Sequence, residues 1–414
     1  MLKTFRFFTA FIGLFAALMA NAPAIDRDAI NGQFNNWLNK DFYNDALKSG
    51  ISAGTFSEAL STVTPNLALP DLVIPGEKPK AQKRQNQAEF SAPANYFSAK
   101  TLAHLISDGK TRLSENRGAL KKIEKQYGVP ASIALAIWGR ETNYGNVKIP
   151  YNAFEVLATK AFMSTRKDMF KTELIAALTI VQDHYMDAAS MKSSWAGALG
   201  QPQFMPTSYL KYAVDFDGDG HRNIWTSTPD TLASIANYLK LNGYKANAGW
   251  GYEVKVPETV GCFLEGPDQG KMLSEWQKLG VLPQSDKNDP ELDKSRPLYL
   301  LMPEGRLGPA FLVTDNFYVL KSYNMSDLYA LFIAAVSDGI EGKSGFIAPW
   351  QKIDELYQSD VLNLQTKLQS QGYDIGKADG FAGFKTRRSI GLWQQKHGQK
   401  QTCFPSRSLI VDIR

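Results

Sequence analysis

The chain has 414 residues, 44% of them apolar and 12% aromatic, with a formal charge of +5. That composition excludes a disordered or fibrous chain and allows a sizeable core spread over more than one domain. The charge suits an anionic partner and falls far short of the dense basic stripe of a nucleic-acid binder, so no nucleic-acid partner is expected.

In chain order, Lys3 and Arg6 precede the run FFTAFIGLFAALMA, and Ala22-Pro23-Ala24 forms a small-x-small pattern. This is the layout of a secretory signal peptide over residues 1–24, too short to span a bilayer comfortably. Cleavage after Ala20 or Ala22 also fits, because proline just after the cut is unfavourable. No cysteine lies near the site, so no lipid anchor is expected. No later stretch is apolar enough to form a transmembrane segment, and the mature protein reads as soluble and exported.

Residues 25 to about 63 read as polar helix, followed by a Pro-rich extended connector, TPNLALPDLVIPGEKPK. From about residue 97 helical periodicity dominates, through SAKTLAHLISDG and NRGALKKIEKQYG to a helix that ends in WGRETNYGN. Further helices are expected at 168–189 and 229–242. Residues 251–320 change character: GYEVKVPETVGCF, RPLYLLMP and AFLVTDNFYVL have the short alternating or β-branched runs of strands. A helix is expected at about 325–339, then a linker at 346–356 and a small module at 357–414. The fold class expected is mainly α with a small β portion (α+β). Cys262 and Cys403 are the only cysteines; export permits a disulfide between them without demanding one. Four scattered histidines without Cys-x-x-Cys or His-x-x-x-His speak against catalytic zinc.

The apolar run Ile133 to Trp138 leads into a carboxylate. Gly128-Val129-Pro130 suits a helix entry. Ile133, Ile137 and Glu141 then share one face, and Arg140 is rotated roughly 100° away. Desolvation there would raise the glutamate pKa and keep it protonated near neutrality, as acid-catalysed cleavage of a glycosidic bond requires. The plain alternative is a solvated glutamate in a last helical turn. A second stretch, SSWAGALGQPQFMPTSYL, combines Gly197 and Gly200 for close backbone approach with Gln203, Phe204 and Met205, an amide on an apolar platform; alone it could be a packing turn.

Together, ETNYG and the following S-x-AGALG-x-x-QFMP-[ST] resemble the lytic murein transglycosylases, in particular the B-type family, from about residue 85 to 340. The resemblance implies a lysozyme-like catalytic domain over 25–345, with its core at about 97–250 and its β-rich part at about 251–320. It implies Glu141 as the single catalytic acid/base, Ser194 as a serine positioning substrate or acid, and Gln203 as a glutamine facing the groove. Tyr238 matches a tyrosine near the catalytic carboxyl, and Tyr323 and Tyr329 match tyrosines lining the saccharide groove. For each tyrosine, core packing is the plain alternative.

DFDGDGHRN places Asp215, Asp217 and Asp219 at alternate positions with Gly220 sixth, as an EF-hand loop begins. His221 would contribute its backbone carbonyl. The twelfth position is Thr226, a departure from the usual glutamate. The resemblance implies closure by a later aspartate, Asp230, and hence a structural calcium ion; an acidic loop without metal is the alternative. The C-terminal stretch VLNLQTKLQSQGYDIGKADGFAGFKTRRSIGLWQQKHG resembles a small helical peptidoglycan-binding domain, with Leu364, Leu368, Ile390 and Trp393 as its core.

No second acidic residue pairs with Glu141 in a recognisable motif; Glu155 and Glu173 are near in sequence only. The resemblance therefore implies a periplasmic, Gram-negative lytic transglycosylase, a monomer acting on peptidoglycan without a catalytic cofactor and leaving 1,6-anhydromuramic acid. The alternatives are a muramidase using water, or a catalytically silent wall-binding or calcium-binding protein.

Overall fold

The computed structural model describes residues 26–75, 93–285, 295–351 and 356–413. The expected signal peptide at 1–24 lies outside the described residues. Among them, no helix is long and apolar enough to cross a membrane.

The organising element is the helix Ala131–Thr142, here called the acid helix. Residues 132 to 139 are all buried, so this is a central helix enclosed on every side and not an amphipathic surface helix. Alanines at 131, 134 and 136 favour the helix and let neighbours approach closely. Around it pack the helices Ala99–Glu115, Arg117–Tyr127, Thr228–Leu241 and Asp327–Ile340. The last, here called the tyrosine helix, is stapled to the acid helix far from Glu141: Ser132 Oγ donates to Glu341 Oε1 at 2.5 Å, and Ser337 Oγ donates to Ser132 Oγ at 2.9 Å.

A second core joins the N-terminal helices Arg27–Asn36 and Ala53–Leu60 to Ala153–Met163, Lys167–Gln182 and Pro206–Tyr212. Tyr238 and Tyr323 pack against both cores, which places them on the seam. A four-stranded antiparallel sheet, in the order β2-β1-β4-β3, builds the β-rich part from β1 (Gly251–Lys255), β2 (Leu282–Pro283), β3 (Tyr299–Leu301) and β4 (Ala310–Val313).

Two sequence expectations need correction. AFLVTDNFYVL is not one strand: the strand stops at Val313, and Asp315–Ser322 is a helix. The β-branched and aromatic content hid a cap, because Thr314 accepts the backbone N–H of Asn316. The helix expected at 168–189 ends at Gln182. His184 there takes a left-handed φ of 58°, and the Tyr185 N–H turns back to the Ile180 carbonyl at 3.0 Å.

The C-terminal helices Gln358–Ser370, Phe384–Lys396 and Arg407–Asp412 enclose Leu364, Leu368, Ile390 and Trp393 in a core of their own. The module is nevertheless bound to the β-rich part. Cys262 and Cys403 form a disulfide across 141 residues, and Cys403 belongs to the core under the sheet. Arg387 is buried against Glu265, with Nη2 at 2.5 Å from Oε1.

Closing so long a loop constrains the unfolded chain by about 3–5 kcal/mol. Replacing both cysteines with serine is therefore expected to lower stability by about that amount. Urea unfolding would measure it, and limited proteolysis should release the C-terminal module earlier than in the wild type.

Candidate active site

The acid helix stops abruptly just beyond Glu141. Asn143, Tyr144 and Gly145 take φ values of 49°, 57° and 79° in succession, a costly run for two residues that are not glycine. Tyr144 is fixed by its hydroxyl, which donates to the Leu105 carbonyl at 2.6 Å, and by an edge-on contact with Trp138. Gly139 makes room for that ring: a Cβ there would lie 2.6 Å from Tyr144 Cζ. The ETNYG signature is thus a helix terminus turned inward under load.

Gln201, which no sequence motif marks, holds this terminus to the glycine-rich loop. Its side-chain oxygen accepts Trp138 Nε1–H at 2.6 Å, its amide nitrogen donates to the Trp225 carbonyl at 2.8 Å, and its backbone carbonyl accepts the Thr142 hydroxyl at 3.0 Å. The signal was weak, an amide beside a proline in a loop, because its partners lie 24 to 63 residues away.

Glu141 is partly buried, and its Oε1 accepts the Tyr329 hydroxyl at 2.6 Å. Burial pushes its pKa up from 4.5 to about 7, against the Tyr329 hydrogen bond and the Arg140 charge, which both pull it down. Desolvation wins. Arg140 itself is exposed, with its guanidinium over the rings of Tyr96 and Phe332 at 4.6 and 4.8 Å. Burial and the nearby Glu141 raise the Tyr329 pKa well above the usual phenol range, so this hydroxyl stays a donor.

The other tyrosines continue the wall. Tyr323 stacks on Tyr329 at 6.2 Å between centroids and 9° between planes, and its hydroxyl donates to the Pro202 carbonyl at 2.7 Å. Tyr238 lies one ring further out, 4.8 Å from Tyr323, with its hydroxyl on the Ser322 carbonyl. Tyr329, and not Tyr238, touches the carboxyl. Phe204 packs on both Tyr238 and Tyr323, bringing the glycine-rich loop to this wall. In that loop Ser194 accepts the N–H groups of Ala196 and Ala198, while Gln203, at φ 54°, donates its amide to the Gly200 carbonyl. Both side chains shape the loop.

The two nearby acids have other duties. Glu155 accepts Asn66 Nδ2 at 2.6 Å, and Glu173 accepts the backbone N–H and hydroxyl of Thr207 at the start of a helix. Among the described residues, no second carboxylate contributes to the raised Glu141 pKa.

At the loop leading into the helix Thr228–Leu241, one ligand oxygen each from Asp215, Asp217 and Asp230 lies within 4.8 Å of the others. Asp230 is fully buried and accepts the N–H groups of Phe216 and Asn223 at 2.8 Å. Asp219 is not in this cluster; its carboxylate accepts the backbone N–H of His221 at 2.8 Å. An all-oxygen set of this kind fits a hard divalent cation.

The pKa of Glu141 carries a stability signature. Between about 4.5 and 7 the folded chain binds a proton that the unfolded chain releases. Stability from this residue is therefore complete below pH 4.5 and lost as the pH rises through about 7. Glu141→Gln is expected to stabilise the fold by about 1–3 kcal/mol at pH 8, and by much less at pH 4.5. Chemical denaturation at the two pH values measures the difference.

The transglycosylase SLT domain model matches residues 33–338, and the peptidoglycan binding domain model matches residues 357–405. SltB3 from Pseudomonas aeruginosa, solved in complex with NAG-anhNAM-pentapeptide, is 35% identical. That match covers 92% of this chain and 99% of SltB3, with a TM-score of 0.80. Membrane-bound lytic murein transglycosylase B of Escherichia coli K12 is 32% identical over 229 residues; the match takes in 55% of this chain and spans 62% of that relative's length. The Escherichia coli lytic transglycosylase Slt35, solved in complex with calcium, is 26% identical over 75% of this chain and 92% of its own, with a TM-score of 0.53.

Proposed function

The chain belongs to the family defined by the transglycosylase SLT domain, and from that premise we propose that it is a peptidoglycan lytic transglycosylase. It cleaves the β-1,4 bond between N-acetylmuramic acid and N-acetylglucosamine and leaves 1,6-anhydromuramic acid ends. The observation that carries this reading is the Glu141 carboxyl, its pKa raised by burial, bonded to a tyrosine and, among the described residues, influenced by no second acid. Hydrolytic glycosidases ordinarily need two carboxylates, the second to activate water or form a covalent intermediate. One suffices when the substrate provides its own nucleophile.

In the first step Glu141 gives its proton to the bridging oxygen as the bond to the muramyl C1 breaks, and that oxygen leaves with the electron pair as a hydroxyl. The muramyl N-acetyl oxygen stabilises the cationic C1. The carboxylate left behind is held by the Tyr329 hydroxyl. In the second step it takes the proton of the muramyl 6-hydroxyl as that oxygen bonds to C1. The glutamate ends protonated, and no water is consumed. Ser194 and Gln203 act by shaping the loop that closes the groove, and Tyr323 and Tyr238 by walling it.

The matched relatives and the expected leader at 1–24 support action on the periplasmic face of the wall, with the C-terminal module also engaging peptidoglycan. The Asp215, Asp217 and Asp230 cluster supports a structural calcium ion, with the His221 carbonyl as a further ligand and Asp219 outside the tight set.

Wild-type digests of purified sacculi are expected to carry anhydromuramic ends by mass analysis, and Glu141→Gln should lower their yield by about 10³-fold or more while still sedimenting with murein. Reducing ends would indicate a muramidase; equal digestion by both proteins would remove Glu141 from the reaction. For the metal loop, calcium at a hundredfold over its Kd should stabilise the wild type by about 2.7 kcal/mol. Asp230→Asn should abolish that response, and an identical melting curve with calcium and with chelator would mean the loop binds no ion.

A further inference from the structure

The stacked tyrosines over Glu141 are set by a single turn. Tyr323 follows the helix Asp315–Ser322, and Tyr329 lies in the first turn of the tyrosine helix. Between them Met325 takes a left-handed φ of 60°. The turn is clasped across its mouth by an ion pair, Lys321 Nζ to Asp327 Oδ1 at 2.7 Å. The other oxygen of Asp327 accepts Arg387 Nη2 at 3.2 Å, and Arg387 comes from the C-terminal module. The same guanidinium donates through Nε and Nη2 to Glu265 and through Nη1 to the Ala382 carbonyl. It is therefore a fixed strut and not a swinging surface charge.

We propose that Arg387 is a positioning residue for the catalytic centre: by holding Asp327 it fixes the turn that presents Tyr329 to Glu141, so docking of the C-terminal module completes the active site and does more than tether the enzyme to its substrate. The inference rests on Glu141 being the acid of the reaction. Burial makes the strut effective. Glu265 is fully buried and Arg387 is 3% exposed, and charges so enclosed tolerate few alternative arrangements. The charged and titratable groups at the clasp are Lys321 and Asp327 on the turn, Glu265 from the β-rich part, Arg387 from the module, and Tyr318 beside them. Those acting on Glu141 itself are Tyr329 and Arg140, with Tyr323 next to it. Arg388, the neighbour of Arg387, pairs instead with Asp268 at the module's exposed edge. That contact holds the same two parts together without touching the turn, which makes it the natural control.

The test uses the full chain and short soluble muroglycan oligomers, with kcat and KM followed across pH. Arg387→Gln is expected to lower kcat about tenfold with KM within twofold. It should also move the alkaline limb of the kcat/KM profile upward, because Tyr329 no longer depresses the Glu141 pKa. Arg387→Lys, which can still meet one carboxylate, should recover part of kcat, and Asp268→Asn should leave both readouts unchanged. Should Arg387→Gln not fold, Asp327→Asn removes the other half of the contact and should give the same upward shift. A folded Arg387→Gln or Asp327→Asn protein with wild-type kcat and an unmoved alkaline limb overturns the inference, and so does Asp268→Asn producing the same change. If the wild type makes no anhydro product from these oligomers, the proposed function itself fails, an outcome distinct from an active wild type matched by its variants.

Discussion

A contest over one proton governs this molecule. Enclosure by the apolar core drives the Glu141 carboxyl toward its neutral form, while the phenol of Tyr329 and the charge of Arg140 favour the anion. The balance near neutrality is what acid-then-base chemistry needs, since the same group must release a proton and then take one back. A fully solvated carboxyl would have lost its proton before substrate arrived; one sealed without a donor could not carry the charge between steps.

Much of the surrounding architecture serves that balance. The acid helix is buried from Ser132 to Gly139, so its last turn delivers the carboxyl to the seam between two cores. Three residues in left-handed conformation end the helix there, and Gln201 ties that end to the glycine-rich loop. Opposite, the tyrosine helix is pinned at one end by Ser132 and Glu341 and at the other by the charged clasp around Asp327. The two helices therefore meet at Glu141 with little freedom to part.

What could be read in the sequence was what repeats locally. The spacing of Ile133, Ile137 and Glu141 placed the carboxyl on an apolar face, and the two short motifs pointed to the loop that packs beside it. Leu364, Leu368, Ile390 and Trp393 outlined the C-terminal core for the same reason, since helical periodicity is visible within a dozen residues. Long-range partners left no such trace. Glu265 and Arg387 are 122 residues apart, Trp138 and Gln201 are 63 apart, and nothing local distinguishes these polar residues from solvated ones. The tyrosines show the limit most clearly: the motifs name three, yet only the fold decides that Tyr329 touches the acid and Tyr238 stands two rings behind it, beyond Tyr323. The helix Asp315–Ser322 was hidden because its Phe-Tyr-Val-Leu run favours strand, and its cap, Thr314, closes a real strand.

A difference infrared titration of wild type against Glu141→Gln, following the stretch of a protonated carboxyl from about pH 4 to 9, reads the Glu141 proton most directly. A proton held on Glu141 gives a band present only in the wild type that disappears with a midpoint near 7. A midpoint near the ordinary 4.5 of a glutamate would mean that residue 141 carries no proton to give at neutral pH, and would contradict its role as the acid.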